Sequence, residues 1–389
     1  MKAFDYVIDS FKRGMVQLVR RPMYFLTMVI IPLFGCWMLL DLLDAGAIKN
    51  VPVGIIDLDN SELSRRLSRN LDAFQQVSIK HQYSSFNEAK HAVQSGDILG
   101  FYYIPKGLQE EALSGRKPLV SYYINYSYYA PASIQYKGYK TISLLANGGI
   151  IQTALRTVGL PQQTITASLQ PYVAHSHMPA NPWLNYSYYL NSSFVPCFFS
   201  LIILMVTAFT LGTELKSGLC RQWLERAGNN MVIALAGKLL PQTALFTTVG
   251  WFIQWMMYRV YGLPLNCNPW HMILAMPMLV MANQGFATLM FCFTPNFRFG
   301  STLCTLMGML SFSFCAFSLP EEALYPWVAA IGYIVPIKYY FLLTVDQAIN
   351  GIDLYYSRIY YAALVVYVIV PLLLSWRIKH ECQNPIYVP

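Results

Sequence analysis

The sequence predicts an α-helical membrane protein of about six transmembrane helices, with an extracytoplasmic α/β domain inserted between the first and second spans. Three observations carry this. Only 12% of the 389 residues are charged, against roughly a quarter in soluble globular chains. Apolar stretches long enough to cross a bilayer start at Met23 and resume only at Phe194, continuing to Trp376. Between them, residues 44–190 have ordinary soluble composition at domain length.

Residues 1–21 read as an amphipathic helix at the cytoplasmic interface. Phe4, Val7, Ile8, Phe11, Met15, Leu18 and Val19 recur at helical spacing, with Asp5, Asp9, Lys12 and Arg13 on other faces. Arg20-Arg21-Pro22 marks a break, since proline suits a first helical turn and disfavours helix before it. The first span, 22–43, contains Pro32 and ends at Asp41 and Asp44. No small-residue cleavage site follows it, so it is expected to stay as a signal anchor.

The 44–190 domain alternates strand and helix signals. Val51 to Asp57 is a buried-strand pattern, and Asp59-Asn60-Ser61 offers an N-cap for a helix ending near Phe74. A second strand is expected at Ser78 to His81, and a helix from Ser85 to Gly96. Ile98 to Ile104 reads as a central strand, Leu108 to Leu113 as a short helix, Leu119 to Ile124 as another strand, and Ala132 to Val158 as a helix. This alternation predicts a small α/β layer domain. Residues 171–190, rich in Pro, Trp and Tyr, read as a loop descending to the membrane interface.

Residues 191–380 read as a five-helix bundle with spans near 194–212, 239–258, 271–293, 299–318 and 359–376, followed by a cytoplasmic tail, 381–389. Within it, Pro320, Pro326 and Pro336 interrupt apolar stretches too short to cross, so 319–350 is expected to be a re-entrant pair of short helices. The basic residues Lys2, Lys12, Arg13, Arg20, Arg21, Lys216, Arg221, Arg226, Lys238, Arg298, Arg377 and Lys379 fall on one side if there are six spans. Positive charge stays inside. Both termini are therefore expected in the cytoplasm and the inserted domain outside. The net charge of +8 comes from these flanks, and no basic patch interleaved with aromatics points to nucleic acid.

Cys36, Cys197, Cys292, Cys304 and Cys315 sit in apolar spans, and Cys220 and Cys382 are expected to face the cytoplasm. The inserted domain has no cysteine, and CxxC and HExxH are absent, so no catalytic, cofactor or metal site is predicted. His175 and His177 form a lone pair in a proline-rich loop, which reads as surface. A GxxxxGK[ST] loop is absent too. If ATP drives this protein, another chain supplies the hydrolysis.

Three groups of residues are candidates for function. Thr213 to Arg226 is a charged inner loop in which Leu215, Leu219, Trp223 and Leu224 form a helical stripe. It is either a solvated connector or a coupling element whose Trp and Arg side chains engage a partner. Gln242, Gln254, Asn283 and Gln284 lie within spans and are the candidate substrate path. Interhelical hydrogen bonding is the simpler reading of these four. Glu321, Glu322 and Lys338 flank the re-entrant segment and are the candidate outer gate. Tyr122, Tyr123, Tyr126, Tyr128 and Tyr129 read chiefly as domain core, with an amphipathic ligand as the alternative.

The order of these motifs resembles that of the type-2 ABC exporter permeases over nearly the whole chain. Arg21-Pro22 and Pro32-Leu33 resemble the family's opening. Val53-Gly54-Ile55-Ile56-Asp57 through Ser64, Gly96 to Gly100 and Ile104-Pro105 resemble its long extracytoplasmic-domain, multidrug-type branch. Glu214 and Gly218, then Gly237-Lys238-Leu239-Leu240-Pro241, resemble its cytoplasmic signature. The chain departs from the pattern near Arg221 and at Arg226-Ala227, where relatives carry an acidic residue and a Thr-Pro pair.

The resemblance implies a half-transporter in the bacterial inner membrane. A separate ABC ATPase subunit would use ATP and Mg, and this chain would bind neither. A second permease would complete the membrane unit, with a periplasmic adaptor as a further candidate partner. Glu214, Gly218, Leu219, Arg221, Trp223 and Arg226 would couple ATPase closure to export of an amphipathic drug or lipid. The competing readings are a receptor or scaffold whose outer domain senses a ligand, and, with little support, a membrane enzyme.

Overall fold

This structure, a computed structural model, describes residues 2–20, 22–44, 46, 49–114, 116, 118–169, 185–315, 321 and 324–383. Arg21, the loop around His175 and His177, Pro320 and Glu322 lie outside the described residues. The chain divides into two compact units, Ala47–His177 and Met1–Gly46 with Met178–Pro389.

The N-terminal helices are α1 (Lys2–Arg20) and α2 (Pro22–Leu43). The inserted unit runs β1 (Val51–Asp57), α3 (Glu62–Asp72), β2 (Val77–Gln82), α4 (Phe86–Ser95), β3 (Gly100–Ile104), α5 (Leu108–Leu113), β4 (Ser121–Ile124), α6 (Tyr129–Thr157) and α7 (Gln162–Leu169). The rest is α8 (Tyr186–Lys216), α9 (Cys220–Arg226), α10 (Met231–Val260), α11 (Pro269–Phe293), α12 (Phe297–Phe314), α13 (Pro326–Gly332), α14 (Pro336–Ile349), α15 (Leu354–Leu373) and α16 (Trp376–Gln383).

In the inserted unit the strand order is β2-β1-β3-β4, with β1 parallel to β2 and β3, and β4 antiparallel to β3. The period of two in the strands divides the core. Val51, Val53 and Ile55 of β1 and Tyr102 and Ile104 of β3 pack with Leu67, Leu71, Ile134, Tyr139 and Ile142 of α3 and α6. Ile56 and Phe101 face the other way, onto Ala89 and Ala92 of α4. The expected caps form: the Ser61 side chain accepts from Ser64 N at 3.1 Å, and Ser85 from Glu88 N at 3.3 Å. Gly96 closes α4 at φ +84°, a left-handed angle that favours glycine.

Among the described residues of the other unit, five helices are long and apolar enough to cross a membrane: α2, α8, α10, α11 and the run Leu354–Gln383. The expected span over 299–318 is α12, which is 18 residues long and is not among the five. Arg298, Ser301, Thr302, Thr305 and Ser311 dilute its apolar content. The 319–350 segment contains two short helices, α13 and α14, meeting at 90°, and counting that bent pair as one span gives six.

Helices α8 and α10 extend beyond their apolar cores because their caps lie outside those runs. Asn185 accepts from Ser187 N at 2.8 Å, and Asn230 from Val232 N at 3.0 Å. Asn268 and Asn296 cap α11 and α12 in the same way. In α2 a π turn at Leu26–Ile30 ends two residues before Pro32, whose missing N–H would have bonded the Met28 carbonyl. Helix α8 is the hub, packing on α2, α11 and α12, while α10 packs on α1 and α11.

Candidate functional site

The contact between α1 and α10 follows from small residues. Ser10 and Gly14 of α1 meet Gly237 and Pro241 of α10. A Cβ on Gly14 would lie 2.7 Å from the Gly237 carbonyl oxygen, and one on Gly237 would collide with the Ser10 side chain. Small residues let helix backbones approach this closely. The large residues Ile8, Phe11 and Met15 point outward and remain exposed.

The neighbours of those two glycines are both cations, and the crossing places them around one carboxylate. Arg13 Nη2 donates to Glu214 Oε2 at 2.9 Å, and Lys238 Nζ donates to Glu214 Oε1 at 2.6 Å. The Glu214 side chain is 4% exposed, Lys238 6% and Arg13 15%. Glu214 occupies the last turn of α8, and Lys238 the second turn of α10. This buried triad joins three helices that are far apart in sequence.

Trp223 lies beside the triad. Its ring centroid is 5.5 Å from Lys238 Nζ, and its Nε1 donates to the Ala234 carbonyl at 3.2 Å. Trp223 was expected to present itself to a partner, but it is 2% exposed and anchors α9 on α10. The single helical stripe expected through Leu215, Leu219, Trp223 and Leu224 is also broken. Helix α8 ends at Lys216, and Gly218 at φ +68° turns the chain before α9 starts.

The outward surface of this region comprises Leu219, 42% exposed, with Arg221, Glu225 and Arg226. Arg221 and Glu225 pair at 3.3 Å in the open, an arrangement worth under about 1 kcal/mol. An open hollow of about 330 Å³ lies between Leu219, Ser217, Lys216 and Tyr24, with Glu214 and Lys238 in its wall. Cys220 of α9 and Cys382 of α16 lie against one another, with their Cα atoms 5.1 Å apart.

A second ion pair lies at α13 and α14. Lys338 Nζ donates to Glu321 Oε2 at 3.0 Å, and Lys338 is 1% exposed. The Lys338 ammonium lies 3.6 Å from the centroid of the Tyr333 ring, and Tyr333 Oη donates to Glu321 Oε1 at 2.8 Å. Burial pushes the Glu321 carboxyl up, but the bonds from Tyr333 and Lys338 and the ammonium charge outweigh it and hold it below the usual range. The structure brings Glu321 and Lys338, two of the three charges that flank the re-entrant segment, into contact and adds Tyr333 to them.

The family model described as ABC-2 family transporter protein matches residues 22–377, from the start of α2 into α16. This chain belongs to the ABC-2 transporter family. No curated protein matches it. It is a multi-pass membrane component of a transporter, and ABC-2 permeases generally work with an ABC ATPase partner.

In this ABC-2 permease the four polar residues named from sequence are all buried between helices of one chain. Ser200 of α8 donates to Asn283 Oδ1 at 2.6 Å, and Thr243 of α10 to Gln284 Oε1 at 2.6 Å. Gln254 Nε2 donates to the Met272 carbonyl at 2.9 Å and to Tyr340 Oη at 3.0 Å. Gln242 is 2% exposed, and its Oε1 has no hydrogen-bond partner among the described residues. Among the described residues no group of three or more His, Cys, Asp or Glu is placed to hold a metal.

Arg13 and Lys238 are among the positive charges at the span ends, and the permease uses both inside the fold. Their signal was adjacency: each follows or precedes a helical glycine at a crossing. Neither glycine identifies its partner helix without the tertiary contact.

Proposed function

We propose that this permease is the membrane half of an ATP-driven exporter. ATP and Mg are used by a separate ABC ATPase subunit, and this chain binds neither. A second permease, identical or a sibling, completes the path. The substrate is amphipathic, a drug or a lipid, and the site is the bacterial inner membrane. The termini are cytoplasmic and the inserted unit is extracytoplasmic, following the positive charge at the span ends.

The observation that supports this reading best is the buried Arg13–Glu214–Lys238 triad beneath the exposed face of α9. A load applied at Leu219, Arg221 and Arg226 reaches α10 through the Trp223–Ala234 bond. It reaches α1 and α8 through Glu214. Three helices linked by buried charges move together more readily than they separate, since removing one partner of such a group leaves an uncompensated charge. That is the rigid input a two-state bundle needs if contact with an ATPase is to shift its equilibrium.

The test has two parts. Mild-detergent purification of the tagged chain should recover a stoichiometric ATPase. Leu219→Asp with Arg226→Glu should leave insertion and folding intact while removing stimulation of that ATPase by the permease. A folded chain that recovers no ATPase would favour the receptor or scaffold reading. Normal stimulation in the double variant would exclude the α9 face from coupling.

A further inference from the structure

Among the described residues the sheet of the inserted unit has two edge strands, β2 and β4, and they differ in charge. Edge strand β2 ends in the exposed Lys80, His81 and Gln82, and its register with β1 shifts between Val53 and Gly54. Charges and irregular register are the usual defences of an exposed edge. Edge strand β4, Ser121-Tyr122-Tyr123-Ile124, has no charge, no proline and a regular register against β3.

The pairing fixes which groups of β4 face outward. Asn125 N bonds to the Leu99 carbonyl at 2.9 Å, so Ile124 and Gly100 form a pair that does not exchange backbone hydrogen bonds. Alternation then turns the N–H and C=O of Tyr122 and Ile124 away from β3, to the open side of the sheet. Only an extended backbone supplies a matching row of donors and acceptors at strand spacing.

Beside this edge lies an aromatic hollow of about 420 Å³. Phe101 and Tyr123 stack at 4.9 Å, and Phe86 meets them edge-on at 5.4 and 5.0 Å. Tyr123 is 44% exposed and Phe86 38%. Among the described residues Lys90 is the only charged one in the lining, and Gln94 and Asn125 are its other polar members. Tyr122, by contrast, packs inward on Tyr136 and Tyr139. The tyrosines read from sequence as one cluster thus divide between core and surface.

We infer that β4 is a docking edge for an extended segment of a partner protein. The partner strand pairs with Tyr122 and Ile124, inserts an aliphatic side chain beside Tyr123, and carries an acidic residue facing Lys90. The uncharged edge selects a strand, the hollow selects an apolar side chain, and the lone ammonium selects the charge. This inference does not depend on the transport reading.

The probe is a synthetic hexapeptide of alternating valine and threonine ending in glutamate, added to the full chain in detergent. It should bind saturably and slow hydrogen exchange at the amides of Tyr122 and Ile124. Ile124→Pro removes one outward donor and no bond to β3, and should weaken binding at least tenfold with the fold retained. Lys90→Glu should reverse the preference toward a peptide ending in lysine.

Equal affinity for wild type and Ile124→Pro, or no saturable binding, would overturn the proposal. So would concentration-dependent protection of the β4 amides without peptide, which would assign the edge to a second copy of this chain.

Discussion

The backbone of Gly14 lies against that of Gly237, so closely that a Cβ on Gly14 would sit 2.7 Å from the Gly237 carbonyl oxygen. An alanine in mid-helix is ordinarily favoured over glycine by roughly 0.5–1 kcal/mol. Here the overlap exceeds that gain, since overpacking costs about 1–3 kcal/mol. Gly14→Ala is expected to lower the melting temperature in detergent. Gly148, in the interior of α6, has nothing within 4 Å of its would-be Cβ. Gly148→Ala is expected to slow hydrogen exchange in α6. A rise in stability for Gly14→Ala would refute the close crossing of α1 and α10.

Glu214 holds two cations in a buried site, so its removal should be severe. Glu214→Ala is expected to cost about 3–5 kcal/mol, read as a loss of folded protein in detergent. Glu214→Leu combined with Lys238→Met and Arg13→Met removes all three charges of the group and should recover much of that stability. The combined variant losing as much as Glu214→Ala would mean that the group itself, rather than the stranded charge, sets the cost.

Acid should loosen the contact between Glu321 and Lys338. The Glu321 carboxyl is held below its ordinary range in the folded chain. Its contribution is therefore full above the unfolded value, about 4.3, and is lost as pH falls through the lowered folded value. Hydrogen exchange in α13 should rise over that acidic window in wild type. In Glu321→Gln it should be fast already at neutral pH and lose its acid dependence.

The inserted unit has its own acid-sensitive joint. Asp59 accepts from Gly107 N at 2.8 Å and Gln109 N at 3.2 Å, tying the loop after β1 to the start of α5. Burial raises its carboxyl, but these bonds together with those from Ser61 and Leu108 N lower it overall. The joint is thus formed above the ordinary carboxylate range and lost as pH drops below the folded value. Asp59→Asn should cost about 1 kcal/mol, because bonds to a charged acceptor are stronger than bonds to a neutral one, and abolish the pH dependence of exchange in α5.

Cys220 and Cys382, 162 residues apart in sequence, bring α9 and α16 together with their Cα atoms 5.1 Å apart, close enough to cross-link on oxidation. Non-reducing peptide mapping of oxidised protein should recover the cross-linked pair, and Cys382→Ser should eliminate it. Recovery of both as unlinked peptides under oxidising conditions would place α16 away from α9.

Some of the site was legible from local patterns. Glu214 and Gly218 stood out by motif, and Lys338 with Glu321 as charges beside prolines. The rest was not, because the pairing is non-local: Arg13 and Glu214 are 201 residues apart. Trp223 was misjudged for a related reason. In a short charged loop an indole looks exposed, and only the packing of α9 on α10 shows that its N–H is used on Ala234. Tyr123 was read chiefly as core, yet β4 lies at the sheet edge and leaves that face half covered.

By itself the sequence determined that this is a membrane protein with an inserted α/β unit. Apolar run length, alternating periodicity and Asn, Ser and Gly at helix ends are local properties, and local sterics and hydration decide them. The tertiary structure decided which charges meet, which indole is buried and which sheet edge stays open. Those outcomes depend on helix crossings and strand order, where residues far apart in sequence exclude water from one another.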